Sequence, residues 1–178
     1  AHRALDGLGE GAIGTHHGSV SVHSLRMKMI LLMRHAKAEP GVPGQRDFDR
    51  PLAARGNEDA LRMGRALAKL GAVPDAIVAY PAARAKETAD AAARAMKFGG
   101  TIRLERALYD AQGDVWLAAL RALPAAAGSA LLVAHSPGIA EAAALLSGAS
   151  PGAFDIPTGG LLAFDDAVER WRDLGCGG

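Results

Sequence analysis

The chain has 178 residues, 49% of them hydrophobic and 22% charged, with 20 basic against 19 acidic side chains and a single cysteine. That length supports one domain with a substantial core. The composition excludes wholesale disorder, and the lone Cys176 excludes a disulfide scaffold and fits a reducing compartment. A formal net charge of +1 excludes the basic excess typical of nucleic-acid-binding domains.

No apolar run approaches the roughly 18 residues that a membrane crossing needs. The amino terminus lacks the continuous apolar segment of a signal peptide, so the expected location is the cytoplasm, without nucleic-acid or membrane partners. Alanine (39) and glycine (22) together make up about a third of the chain. Their clustering, as in Ala91-Ala92-Ala93, predicts helices with small, closely packing faces.

Residues 1–26 are rich in glycine, histidine and serine and show no strand or helix periodicity. They are read as a flexible extension, either non-native or a loose natural arm, and 27–178 as the folded domain. Gly9-Glu10-Gly11-Ala12-Ile13-Gly14 formally matches G-x-G-x-x-G, but a dinucleotide site requires a strand before it and a helix after it, and neither is expected there.

From Lys28 the pattern becomes regular. The continuous apolar run at 29–33 predicts a strand buried on both faces. Ala60, Leu61, Gly64, Leu67 and Ala68 recur at helical spacing, and Gly71 supplies a stop. A second strand is expected at 76–79, a helix over 82–96, a short strand at 101–104, a helix over 113–122, a third buried strand at 130–134 and a helix over 137–147. Residues 161–164 and 169–174 read as an antiparallel pair turning at Asp165-Asp166. Strands alternating with helices imply a three-layer α/β/α fold around a mainly parallel sheet.

Two of these strands run directly into histidine: the first into Arg34-His35, the third into His135-Ser136. Ligand sites of open α/β sheets lie beyond the carboxyl ends of the strands. The strand at 76–79 ends at Tyr80-Pro81, with Arg84 one helical turn on. Arg34, His35, Arg84 and His135 are therefore expected to converge. Guanidinium forks match phosphate oxygens. Ser136-Pro137-Gly138 reads as an N-cap with proline at the first helical position, so the helix start adds backbone donors for an anion. An imidazole between arginines is disfavoured as imidazolium and stays a neutral nucleophile. This set equips a site for phosphoryl transfer through a phosphohistidine intermediate, with no metal or organic cofactor expected. Lys37 and Arg50 are candidates for the pocket rim, with ordinary solvated charges as the alternative. Thr158-Gly159-Gly160 reads as a plain turn, with an approach to the pocket as the other reading.

The stretch Leu32-Met33-Arg34-His35-Ala36-Lys37-Ala38-Glu39 resembles the amino-terminal R-H-G signature of the histidine phosphatase superfamily. Pro81-Ala82-Ala83-Arg84-Ala85-Lys86-Glu87-Thr88-Ala89 resembles its S-P-x-x-R-A-x-x-T-A motif. Leu131-Leu132-Val133-Ala134-His135-Ser136-Pro137-Gly138 resembles the motif holding its second essential histidine. With Asp47-Phe48-Asp49-Arg50-Pro51-Leu52, the pattern is most similar to SixA-like phosphohistidine phosphatases.

The resemblance implies a phosphoglycerate mutase-like fold without a cap insertion. It implies His35 as nucleophile and Arg34, Arg84 and His135 as catalytic and phosphate-binding residues; Lys37, Arg50 and Ser136 stay binding candidates on their position alone, with Ser136 read as a cap rather than a nucleophile. Three positions depart from the pattern or leave it open. Ala36 replaces the common glycine, Tyr80 replaces a serine hydroxyl, and the general acid is open between Glu105 and Asp110. The implied substrate is the phosphohistidine of a phosphorelay or signalling protein. A small phosphate ester (including mutase chemistry) and a non-catalytic phosphate-binding module are the alternatives. The expected state is a monomer or weak dimer.

Overall fold

The computed structural model describes residues 27–175. The extension expected over 1–26, its glycine-rich match and Cys176 lie outside the described residues. In chain order the elements are β1 (Lys28–Arg34), α1 (Ala54–Lys69), β2 (Ala76–Ala79), α2 (Ala83–Met96), β3 (Ile102–Leu104), α3 (Gly113–Arg121), β4 (Ser129–Ala134), α4 (Gly138–Ser147) and β5 (Leu161–Asp166). The sheet runs β3-β2-β4-β1-β5, parallel throughout except for β5, which lies antiparallel on β1. Helix α1 packs on α2 and α3 on α4, giving the three-layer α/β/α arrangement, and no further domain is inserted between the described elements.

The central strands are apolar because both of their faces are covered. Ile30, Leu31, Leu32 and Met33 are buried, as is every residue of β4, and a parallel strand between two helical layers has no solvent side to make polar. On the helices, small residues set the spacing. A Cβ at Gly56 would stand 2.0 Å from the Lys37 carbonyl oxygen, and one at Gly64 would stand 2.3 Å from that of Ala92. Helix α1 therefore presses onto the loop after β1 and onto α2 at distances only glycine allows. The stop at Gly71 holds, with Ala72 N–H bonding the Leu67 carbonyl at 2.9 Å. Helix α2 instead ends on Lys97 in the left-handed region (φ 57°), ahead of the Gly99-Gly100 pair.

The carboxyl-terminal hairpin does not form. Residues 161–166 are one strand, and Asp165 and Asp166, read as its turn, pair with Met29 and Lys28 of β1. Trp171–Asp173 is a 3-10 turn. The free edge of β1 offers six register partners to β5, whereas the tail is held by its side chains. Trp171 is buried, and its indole N–H donates to the Ala127 carbonyl at 2.7 Å. The ammonium of Lys28 donates to the same carbonyl at 2.6 Å and lies 5.3 Å from the indole centroid. This cluster closes the end of the sheet where β1 and β4 begin, opposite the end where they deliver Arg34 and His135.

Candidate active site

Arg34 is the last residue of β1 and lies beside Ala134 of β4, so the next residue on each strand is a histidine. The His35 N–H donates to the Ala134 carbonyl at 2.8 Å, which locks the two strand ends together. Gly159 completes the floor: at φ 76° it directs its N–H to the Arg34 and His35 carbonyls at 3.1 and 3.2 Å. Arg84 arrives from the first turn of α2 and is 7% exposed. The four residues expected to converge do converge. They line an open cavity of about 420 Å³ together with Lys37, Ala38, Asp47, Arg50, Asp110, Ser136 and Thr158. A larger groove of about 490 Å³ between α3 and α4 has only Asp114 and Glu141 as charged lining residues, and Glu141 already accepts from the Gly113 N–H. The four candidates all lie in the smaller cavity.

Hydrogen bonding fixes the tautomer of His35. Its Nδ1 lies 2.8 Å from the Ala36 carbonyl, which only accepts, so Nδ1 carries the proton and Nε2 keeps its lone pair. Burial, reinforced by Arg84, Arg34 and His135, lowers the His35 pKa to about 4. The neutral imidazole expected from the flanking arginines is thus owed first to desolvation and only second to those charges. The acid limb of kcat/KM, corrected for substrate ionisation, is expected to fall near pH 4; a limb near the ordinary histidine value of about 6.5 contradicts this environment. His135 is also shifted down by burial, with Asp110 pulling against it and Arg84 and Arg34 adding to the shift. Its Nε2 stands 3.9 Å from an Asp110 carboxylate oxygen.

Asp47, to which sequence reasoning assigned no role, organises the opposite wall. Arg84 donates from Nη1 to the Asp47 carbonyl at 2.6 Å and from Nη2 to its carboxylate at 2.8 Å. Arg50 donates to the other carboxylate oxygen at 2.7 Å, and the Tyr109 hydroxyl lies 3.5 Å from the oxygen that Arg84 holds. Partial burial opposes the charge of Asp47, but the hydrogen bond from Arg50 and the nearby Arg84 hold its carboxyl below the ordinary range. Arg50 also donates twice to the Glu39 carbonyl, so it braces the loop as well as lining the cavity.

Thr88 couples the backbone after His35 to the backbone of Arg84. Fully buried, its hydroxyl accepts from the Ala36 N–H at 3.1 Å and donates to the Arg84 carbonyl at 2.6 Å. Thr88→Val removes both bonds at nearly constant volume. It is expected to lower kcat roughly ten-fold with little change in KM, and Thr88→Ser is expected to restore most of the loss. Equal losses in both variants would assign Thr88 a packing role only.

Other expected positions fall differently. Ser136 lines the cavity but does not cap α4: Pro137 occupies the cap, and no side-chain cap bond forms. The N–H groups of Ile139, Ala140 and Glu141 are taken by the His135 and Pro137 carbonyls, so the helix start does not offer them to an anion. Lys37 is exposed at the rim. Thr158 lies in a turn, as expected, and also reaches the cavity. Of the two acid candidates, Asp110 lines the cavity, while Glu105 is paired with Arg103 and is absent from the lining.

Tyr80, standing where a serine hydroxyl is usual, does not replace it on the wall. Its ring is buried 5.3 Å from His135 and 6.4 Å from His35. Burial pushes its phenol well above the ordinary range, so it stays neutral. Among the described residues no cluster of three or more His, Cys, Asp or Glu is placed to hold a metal ion, and no helix is long and apolar enough to cross a membrane.

Residues 30–119 match the family model of the histidine phosphatase superfamily (branch 1). A protein from Agrobacterium tumefaciens, provisionally named phosphohistidine phosphatase SixA, is 31% identical and has a TM-score of 0.71, with 78% of this chain and 91% of that one aligned. A protein from Nakamurella multipartitia with the same provisional name is 29% identical, also at TM-score 0.71, covering 85% of this chain and 91% of that one. An uncharacterized chloroplastic protein of Arabidopsis thaliana is 36% identical over 61 residues, which are 34% of this chain and 28% of that protein.

Proposed function

Because the chain belongs to branch 1 of the histidine phosphatase superfamily, its enzymatic class is that of a phosphatase, and we propose that it removes the phosphoryl group from phosphohistidine on a signalling or phosphorelay protein. The observation that carries this reading is a neutral His35 with a free Nε2 lone pair, surrounded by Arg34, Arg84 and His135 at the floor of an open cavity. Two relatives sharing 91% of their length with this chain bear the provisional name phosphohistidine phosphatase.

In the first step the His35 Nε2 lone pair forms an N–P bond in line with the P–N bond that breaks. The bonding electrons leave with the substrate imidazole, which takes a proton from solvent or from Asp110. Arg34, Arg84 and His135 hold the equatorial oxygens as their charge develops. In the second step a water oxygen bonds to phosphorus, the P–Nε2 bond breaks, and inorganic phosphate leaves. Asp110 is the better placed of the two acid candidates, because Glu105 is engaged by Arg103.

An imidazole leaving group needs less help from a general acid than an alkoxide does. An open mouth admits a side chain presented by another protein. The enzyme is therefore expected to show a kcat/KM for a histidine-phosphorylated protein at least ten-fold above that for sugar phosphates or p-nitrophenyl phosphate, measured side by side. The reverse order would assign it to small esters.

A further inference from the structure

A second concavity of about 260 Å³ opens beside the cavity, lined by Arg46, Phe48, Arg106 and Tyr109. The two are built from the same two segments, since Phe48 follows Asp47 and Tyr109 precedes Asp110 in the chain, and the Tyr109 hydroxyl lies 3.5 Å from the Asp47 carboxylate. Aromatic contacts tie it to the catalytic histidines. The Arg106 guanidinium lies 5.9 Å from the Phe48 ring centroid, Phe48 meets Tyr109 edge-on at 5.1 Å, Tyr109 lies 5.9 Å from Tyr80, and Tyr80 lies 5.3 Å from His135.

The charges in this notch are uneven. Arg46 is held by the Asp49 carboxylate through Nε at 2.6 Å and Nη2 at 3.0 Å. Arg106 is exposed, and among the described residues no carboxylate lies within ion-pair distance of it. Its guanidinium is set against an aromatic ring with its fork of donors unused. That arrangement favours a planar, bidentate acceptor.

We propose that this notch binds a carboxylate side chain of the phosphorylated partner protein, next to the phosphohistidine in the adjacent cavity. The inference rests on the functional reading above and adds to it the kind of surface the partner must present: acidic residues close to its phosphohistidine. Asp49 already shows a carboxylate engaging one arginine of the notch, and Arg106 is the arginine left for the partner. Because the contact lies outside the phosphate site, it acts on substrates that have a protein surface and not on small ones. Exposed ion pairs are individually weak, so replacing an attracted charge by a repelled one amounts to roughly a five-fold preference.

The test uses two helical phosphohistidine peptides, one with glutamate and one with lysine at the positions three and four residues to either side. The wild-type enzyme is expected to show about five-fold higher kcat/KM on the glutamate peptide. Arg106→Glu is expected to reverse that order while leaving p-nitrophenyl phosphate hydrolysis unchanged. Equal rates on the two peptides, or a preference that survives Arg106→Glu, would overturn the notch. Turnover of p-nitrophenyl phosphate with neither peptide cleaved would overturn the functional reading instead. The notch is then judged by how strongly each peptide inhibits p-nitrophenyl phosphate hydrolysis, and the same Arg106-dependent preference is required.

Discussion

Replacing His35 with asparagine is expected to lower kcat/KM on the order of 10⁴-fold or more on every substrate. Asparagine preserves a polar side chain of similar reach but has no lone pair able to form the N–P bond. Arg34, Arg84 and His135 remain in place, so phosphate binding should survive while chemistry stops. That separates loss of the nucleophile from loss of the pocket. Steady-state rates check the chemistry, and calorimetric titration with inorganic phosphate checks the binding. An unchanged phosphate dissociation constant with vanishing turnover is the expected pattern, and turnover above about 1% of wild type would move the nucleophile to His135, the other imidazole lining the cavity. Mass spectrometry at neutral pH should find the phosphoryl group on His35 in the wild-type enzyme and none in the variant.

Trp171→Ala is expected to destabilise the fold by about 3–5 kcal/mol, the usual cost of removing a fully buried large aromatic side chain. The indole is 1% exposed, and its N–H holds the Ala127 carbonyl just before β4. Its ring also lies against the buried ammonium of Lys28, which donates to Ala127 and Ala125. Deleting the indole leaves a cavity and removes the ring that covers this ammonium. The site lies at the opposite end of the sheet, so kcat/KM per folded molecule should be nearly unchanged. Urea unfolding with parallel assays checks this, and a loss below about 1 kcal/mol would mean that the tail is dispensable.

Much of the site was legible because the relevant signals are local. A continuous apolar run in a chain that alternates strands with helices is a buried parallel strand, and the residue after such a strand lies at the ligand edge of the sheet. Arg34, His35 and His135 follow from that reasoning alone, and Arg84 follows from standing one helical turn after β2. Asp47 was not legible. It is separated from Arg84 by 37 positions, opens a single 3-10 turn at Asp47–Asp49 too short to show periodicity, and owes its role to a hydrogen bond that no spacing announces. The α4 donors were misjudged for a related reason. Proline at a helix start suggests free N–H groups, but the His135 and Pro137 carbonyls reach them first.

The tail shows the same division at the level of the fold. Its alternating pattern and Asp165-Asp166 pair are compatible with a hairpin, since local pattern fixes which residues favour a strand and not which partner that strand selects. The open edge of β1 competes for β5 and takes it, because the antiparallel ladder there sets Leu162 and Phe164, half-buried, against the core. The sequence by itself determined the kinds and order of most elements, the small faces that let α1 approach α2 and the loop after β1, and the strand ends on which the catalytic candidates stand. Those are properties of neighbouring residues, and the chain carries them without being folded. Only the tertiary structure decided the partner of β5, the clasp of Asp47 on Arg84 and the depth of burial that keeps His35 neutral. Each of those depends on which of several competing groups, distant along the chain, arrives within reach.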